Sequence, residues 1–146
     1  MNIGIDYHDT LTYNPQFFMN ILKSWEGKIY IISGTPESNR KEIEEGLDKI
    51  GLLKYIDDIL LGFEYNKNDM DFSHFKKMAE HKKRLIEFYS IDVYFDDNPY
   101  YVSYLKNNGI LVFQTILGDG YMEKYKEDAF FTSHLQEKQF DFLDEI

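Results

Sequence analysis

A chain of 146 residues that is 43% hydrophobic, with 12 Tyr and 12 Phe, fits one domain around one core and carries too much apolar material for disorder. Its formal net charge of −10 repels nucleic-acid phosphates and argues against stable nucleic-acid binding. The lack of cysteine excludes disulfides, thiolate metal sites and cysteine nucleophiles, and suits a reducing compartment.

The N-terminus, Met1-Asn2-Ile3-Gly4-Ile5, has no basic region followed by a signal-type apolar stretch, and no run approaches 18 continuous apolar residues. A cytoplasmic protein with no membrane association is expected. Residues 2–5 are a short apolar run ending at Asp6 and predict the first strand. Asn14-Pro15 supplies a cap and a Pro at the first helical position. Phe17, Phe18, Ile21, Leu22 and Trp25 then recur at helical spacing, up to a Gly27 suited to the left-handed residue that ends a helix. A second strand is expected at 28–32.

Thr35-Pro36 repeats the cap-plus-Pro signal, and Ile43, Leu47 and Ile50 mark the buried face of a helix stopping at Gly51. A strand at 58–61 and a polar loop at 62–71 follow, then a helix capped by Ser73 or Asp71 and reaching Tyr89. Residues 91–95 predict a strand ending at Asp96-Asp97. Asn98-Pro99 gives the third cap-plus-Pro signal, for a helix over 99–107 that ends at Gly109, and residues 110–113 read as a fifth strand.

Strands alternating with helices imply right-handed crossovers: a single Rossmann-like three-layer α/β/α domain with a five-stranded parallel sheet. The core is assigned to residues 1–116. Residues 117–146 form a C-terminal extension in which Leu135, Phe140, Leu143 and Ile146 hint at a helix packed on that core.

In such a sheet the ligand site lies beyond the carboxyl ends of the strands. Four polar stations converge there: Asp6 after strand one, Ser33 after strand two, Lys82 on the third helix, and Asp96-Asp97 after strand four. The ordered set Ile3-Gly4-Ile5-Asp6-Tyr7-His8-Asp9-Thr10, Ile29-Tyr30-Ile31-Ile32-Ser33, Lys82 and Val93-Tyr94-Phe95-Asp96-Asp97 resembles the motifs of the haloacid-dehalogenase (HAD) superfamily over residues 2–114. Any one piece is commonplace: Asp-Asp before Asn-Pro also reads as turn and cap chemistry, and Ser33 before Gly34 as a strand end. Their conjunction in order carries the resemblance.

The resemblance implies a Mg²⁺-dependent phosphohydrolase of phosphatase or nucleotidase type, in which Asp6 attacks a phosphoryl group to form an aspartyl-phosphate. It implies Mg²⁺ ligation by Asp6, the backbone carbonyl of His8, and Asp97, with Asp96 as alternate ligand or support. Ser33 and Gly34 would bind phosphate, Lys82 would offset its charge, and Asp9 and Thr10 would support the loop. Lys83, beside Lys82 in His81-Lys82-Lys83-Arg84, is the competing lysine, and that run also reads as a solvated helix face.

One position departs from the family pattern. Where its phosphatases carry a second Asp as acid/base, this chain has His8. Residues two apart in an extended segment share a face, so His8 is expected to point toward Asp6. Imidazole is a competent general acid or base near neutral pH, but it is larger than a carboxylate, and a misplacement of about 1 Å can cost ~100-fold in rate. Asp9 is the weaker substitute. Two readings follow: a phosphohydrolase using His8, or a catalytically inactive phosphate-binding or protein-interaction module on the same fold. A dehalogenase has no use for the acids at 96 and 97.

Residues 7–32 leave no room for a first-type cap, and the segment between Ser33 and Lys82 leaves little more, so the resemblance is to a capless member. The substrate is then a phosphorylated small molecule or a phosphorylated macromolecule, and a homo-oligomer that encloses the site is an open alternative. Tyr7, Phe63 and Tyr65 are candidates for stacking on a nucleobase, with core packing as the bland reading of each.

Overall fold

Five strands, β1 (Ile3–Asp6), β2 (Ile29–Ile32), β3 (Asp58–Leu60), β4 (Val93–Asp96) and β5 (Val112–Gln114), form one sheet in a computed structural model that describes residues 1–66 and 72–116. All neighbours pair in parallel, in the order β3-β2-β1-β4-β5. The connections carry α1 (Pro15–Leu22), α2 (Arg40–Lys49), α3 (Phe72–Phe88) and α4 (Pro99–Asn107).

Alternation along the strands splits the core in two. Ile3, Ile5, Ile29, Ile31 and Val93 face Phe18 and Leu22 of α1 and Ile43 and Leu47 of α2. Ile32, Leu60 and Tyr94 face Ile86 of α3 and Leu105 of α4. Burying each such side chain is worth about 1.5–3 kcal/mol. Cover on both faces is why these strands are nearly continuous apolar runs. The chain winds from β1 through β2 to β3 in one direction and from β1 through β4 to β5 in the other, so the reversal of strand order falls at the carboxyl end of β1.

The three cap-plus-Pro signals are not equivalent. Asn98 caps α4 with its side chain, accepting from the backbone N–H of Tyr100 at 2.9 Å and of Tyr101 at 3.3 Å. Asn14 makes no side-chain cap; its amide donates to the carbonyl of Thr10 at 3.0 Å and ties α1 to the preceding turn. Thr35 also leaves its helix uncapped, because Pro36 leads into a 3₁₀ turn (Glu37–Asn39) before α2 begins at Arg40. Its hydroxyl donates to Ser33 instead.

Gly51 and Gly109 take the positive φ expected after helices, at 78° and 79°. Gly27 does not. α1 closes at Leu22 with Lys23 as its cap, and Trp25 lies beyond it, donating from its indole to the carbonyl of Met1 at 2.9 Å. A Cβ on Gly27 would lie 1.5 Å from that same carbonyl oxygen, so close backbone approach, not helix termination, accounts for the glycine. Ser73 lies inside α3 rather than before it. The extension at 117–146 and its predicted helix, Asp71, and the loop at 67–71 lie outside the described residues; 62–66 are irregular as expected. No helix among the described residues is long and apolar enough to cross a membrane.

Candidate active site

β1 delivers Asp6 to the reversal point, and the chain turns sharply there. Asp6 is still extended (φ −64°, ψ 139°), His8 is extended (φ −71°, ψ 129°), and Asp9 adopts the left-handed region at φ 64° within a helical turn spanning Tyr7–Leu11. Asp is among the few side chains that accept this conformation readily. The turn brings buried Thr10 back beneath the strand end. Its hydroxyl lies 3.1 Å from Asp6 Oδ2 and 3.2 Å from Asp97 Oδ1, linking the ends of β1 and β4.

β4 carries Asp96 to the same point, followed by Asp97, and α3 supplies Lys82 from the other face. Lys82 is buried, and its ammonium donates to Asp6 Oδ1 at 3.0 Å, to Asp96 Oδ2 at 2.6 Å and to the hydroxyl of Tyr94 at 3.1 Å. Tyr94 in turn donates to Asp96 Oδ2 at 2.7 Å. The other Asp96 oxygen accepts from the backbone N–H of Asn98 at 2.9 Å. Asp96 is thus held by three donors, whereas the hydrogen bond to Asp97 from this group comes from Thr10.

The group is short of positive charge. Asp6, Asp96 and Asp97 are all buried and offer carboxylate oxygens within 4.8 Å of one another; against them stands one lysine. Burial first, then repulsion from Asp96 and Asp97, raises the Asp6 pKa well above the usual carboxylate range against the pull of Lys82. Burial disfavours the charged lysine too, yet Asp6, Asp96 and Tyr94 together outweigh it and raise the Lys82 pKa. Beyond burial, which acts on the two in opposite directions, both shifts reflect a cluster of three acids and one lysine that lacks about two positive charges. Three hard oxygen donors with that deficit fit a hard divalent cation such as Mg²⁺ and do not fit a soft metal.

Ser33, at the end of β2, is buried and lies on the opposite flank of the loop. Its Oγ is 3.2 Å from His8 Nδ1 and accepts from the Thr35 hydroxyl at 3.2 Å. His8 thus lies beside Ser33, in extended backbone like Asp6, with the left-handed turn at Asp9 following it. The ring is exposed on its outer side. Its pKa is lowered, mainly by loss of water on the inner side, with Asp9 and Glu42 opposing and Lys82 assisting. A Cβ on Gly34 would lie 1.9 Å from Met78 Sδ, so α3 is packed directly onto the residue after Ser33.

Lys83, the competing lysine, points away and pairs with Glu87 at 3.4 Å on the outer face of α3. Tyr7 packs edge-on against His8 at 4.9 Å between ring centres. A Cβ on Gly46 of α2 would lie 2.1 Å from its hydroxyl, so the ring is wedged against that helix. Phe63 and Tyr65 come together, 5.6 Å apart, with His74 at the mouth of a hollow of about 190 Å³ that Lys77 also lines. Two site neighbours escape a motif-by-motif reading: Tyr94, and Tyr101, whose ring lies 4.6 Å beneath the Lys82 ammonium. The signal for Tyr94 was present, since residues 94 and 96 of one strand share a face.

No protein-family model matches the chain, and no curated protein matches it in sequence. Solved structures do match in shape. A chain of the Pnkp1/Rnl/Hen1 RNA repair complex aligns with 78% of this chain at 18% identity and a TM-score of 0.55, with only 42% of that chain covered. The core domain of a protein assigned as a phosphoglycolate phosphatase from Streptococcus pneumoniae aligns over 77% of both chains at 18% identity and a TM-score of 0.48. One assigned as a β-phosphoglucomutase from Thermotoga maritima aligns over 90% of this chain and 58% of its own at 18% identity, with a TM-score of 0.43.

Proposed function

The chain has the haloacid-dehalogenase-like fold, and on that premise we propose that it is a Mg²⁺-dependent phosphohydrolase acting on phosphate monoesters through Asp6. The observation that carries the reading is the placement of Asp6 at the topological reversal, one oxygen on Lys82 and the other on Thr10, within a buried carboxylate cluster that lacks counter-charge. A structural acid at a strand end needs none of this apparatus. Asp6, Asp97 and the carbonyl of His8 would hold the cation, which when bound supplies charge neutralisation for the acids and the phosphoryl oxygens. Asp96, engaged by three donors, serves to hold Lys82.

In the first half-reaction an Asp6 oxygen bonds to phosphorus as the ester P–O bond breaks. The leaving oxygen takes a proton from His8, and an aspartyl-phosphate remains. In the second, His8 accepts a proton from water as water attacks phosphorus and releases Asp6 and inorganic phosphate. Ser33 donates to a phosphoryl oxygen, and Lys82 stabilises charge developing there. The substrate is a phosphorylated small molecule or a phosphorylated end of a macromolecule. The RNA repair neighbour shares the fold, and the net charge of −10 works against a long polynucleotide.

A second reading rests on the His8–Ser33 contact of 3.2 Å. With the ring spent on Ser33, the chain would bind phosphate without turning it over. A Mg²⁺-dependent assay on p-nitrophenyl phosphate and a nucleotide panel separates the two. Turnover by the wild type that is lost in Asp6→Asn supports the enzyme. An inert wild type with turnover gained in His8→Asp sinks it in favour of the binding module. Failure of Mg²⁺ plus orthophosphate to raise thermal stability removes the phosphate site from both readings.

A further inference from the structure

Lys82 is the single cation among the three buried acids. Its ammonium has three protons and three acceptors: Asp6 Oδ1 at 3.0 Å, Asp96 Oδ2 at 2.6 Å and the Tyr94 hydroxyl at 3.1 Å. The two carboxylates compete for one charge, and Asp96 holds it at the shorter distance. The Tyr94 hydroxyl alters that competition from both ends. It donates to the same Asp96 oxygen at 2.7 Å, which reduces that oxygen's demand on the lysine, and it accepts a proton that Lys82 would otherwise leave unsatisfied in a buried place.

The arrangement is built into the strands. Tyr94 is buried and lies two residues before Asp96, so the two share a face of β4. Its register partner on β1 is Gly4, where a Cβ would come within 3.2 Å of the Tyr94 ring and of Ile91. The glycine makes the slot that the ring fills. Tyr101, the third residue of α4, floors the ammonium with its ring face at 4.6 Å, a cation–π contact in a desolvated setting. The Lys82 ammonium thus stands on two tyrosines, and only one of them hydrogen-bonds to it.

We propose that Tyr94 is a positioning residue: by bridging Lys82 and Asp96 through its hydroxyl, it keeps the ammonium shared with Asp6 and hence directed at the phosphoryl site. Without that hydroxyl the ammonium closes on Asp96 and withdraws from Asp6. The phosphate part of this rests on the function proposed above; the aiming of the lysine does not.

The test uses Tyr94→Phe, which deletes one oxygen and keeps the ring in its slot. Proton–nitrogen correlation spectra of the lysine ammonium groups report Lys82 directly, its signal identified by its absence in Lys82→Met. In the wild type this buried ammonium exchanges slowly with water. In Tyr94→Phe its signal shifts and its exchange quickens about tenfold or more. Orthophosphate binding in saturating Mg²⁺ weakens about tenfold, the size of one hydrogen bond to a charged group, while Mg²⁺ affinity stays within about twofold.

In the Lys82→Met background the same Tyr94→Phe change adds less than about twofold to the phosphate loss, because it acts through a residue no longer there. A merely structural tyrosine would lower the melting temperature and leave both the ammonium signal and the non-additivity unmoved. An unchanged Lys82 signal in Tyr94→Phe overturns the proposal, and so does a full tenfold loss that recurs in Lys82→Met. A wild type that binds no orthophosphate refutes the function proposed above instead, and the ammonium signal alone then decides the role of Tyr94.

Discussion

Replacing Lys82 by Met removes the one cation from a buried group of three carboxylates. At distances of 3.0 and 2.6 Å and an effective dielectric of about 20, the attraction to each partner is on the order of 5 kcal/mol, most of it offset by the desolvation of the ammonium. The net cost of orphaning buried partners is about 3–5 kcal/mol. In a chain of this length it should lower the melting temperature by about 10–15 °C.

Thermal unfolding followed by circular dichroism, with chelator present, measures the loss. Two conditions should narrow it. Added Mg²⁺ supplies the missing charge. Acid does the same: the Asp6 pKa is raised in the native state, so native Asp6 takes up a proton before unfolded Asp6 does, and native stability is regained as pH falls through that raised value. A drop below about 3 °C would refute the reasoning, as would one no larger than that of Lys83→Met, whose partly exposed pair with Glu87 is worth about 0.3–0.5 kcal/mol.

Three further outcomes are expected. Gly46→Ala should stabilise an exposed helix interior by up to about 1 kcal/mol on propensity alone, but here the new Cβ would meet the Tyr7 hydroxyl at 2.1 Å. Denaturant titration should instead show a loss of about 1–3 kcal/mol from overpacking; a gain would mean Tyr7 is not wedged there. Asn98→Ala should cost about 1 kcal/mol, from loss of the two N–H bonds at the start of α4, whereas Asn14→Ala, which makes no such cap, should cost less; equal losses would contradict this. His81 lies on α3 against Phe63 at 5.3 Å, and its Nε2 meets no partner among the described residues. Burial first, then Arg84 and Lys82, lowers its pKa, with a backbone bond to Leu61 opposing. A depressed histidine is protonated more readily when unfolded, so its contribution is intact above the unfolded value of about 6.5 and is lost as pH falls below it, by at most about 1.4 kcal/mol per pH unit. His81→Leu should flatten the stability profile between about pH 6.5 and 5, and a profile parallel to the wild type would exclude this histidine as the cause.

The sheet was legible because its signals are local and redundant. Apolar runs covered on both faces predict buried parallel strands, and Gly51 and Gly109 end helices where only a left-handed residue fits. What was misjudged turns on which partner a residue meets, near or far along the chain. Gly27 is a glycine because Met1 lies against it, and the Thr35 hydroxyl serves Ser33 rather than a helix end. At the site, polar residues at strand ends identified the meeting point of Asp6, Ser33, Asp96 and Asp97, and a spacing to Asp96 like that of the resembled family favoured Lys82 over Lys83. Tyr94 was passed over because a tyrosine inside an apolar strand reads as core. It is both core and polar, and only the Lys82 and Asp96 distances show which atom matters.

The backbone around Asp6 also governs what substitution can do there. Asp9, at φ 64°, is confined to the few residues that tolerate that conformation; asparagine or glycine could replace it, and valine could not without strain. Thr10, buried and linked to two acids, is equally constrained. His8 precedes both in an ordinary extended conformation and is exposed, so the backbone places no demand on its side chain, whose contacts are Ser33 and the Tyr7 ring. The loop therefore contains one interchangeable slot in an otherwise rigid frame. A substitution there gives up the contacts with Ser33 and Tyr7 but strains no backbone, which makes position 8 a natural point for such a scaffold to gain, lose or retune an activity.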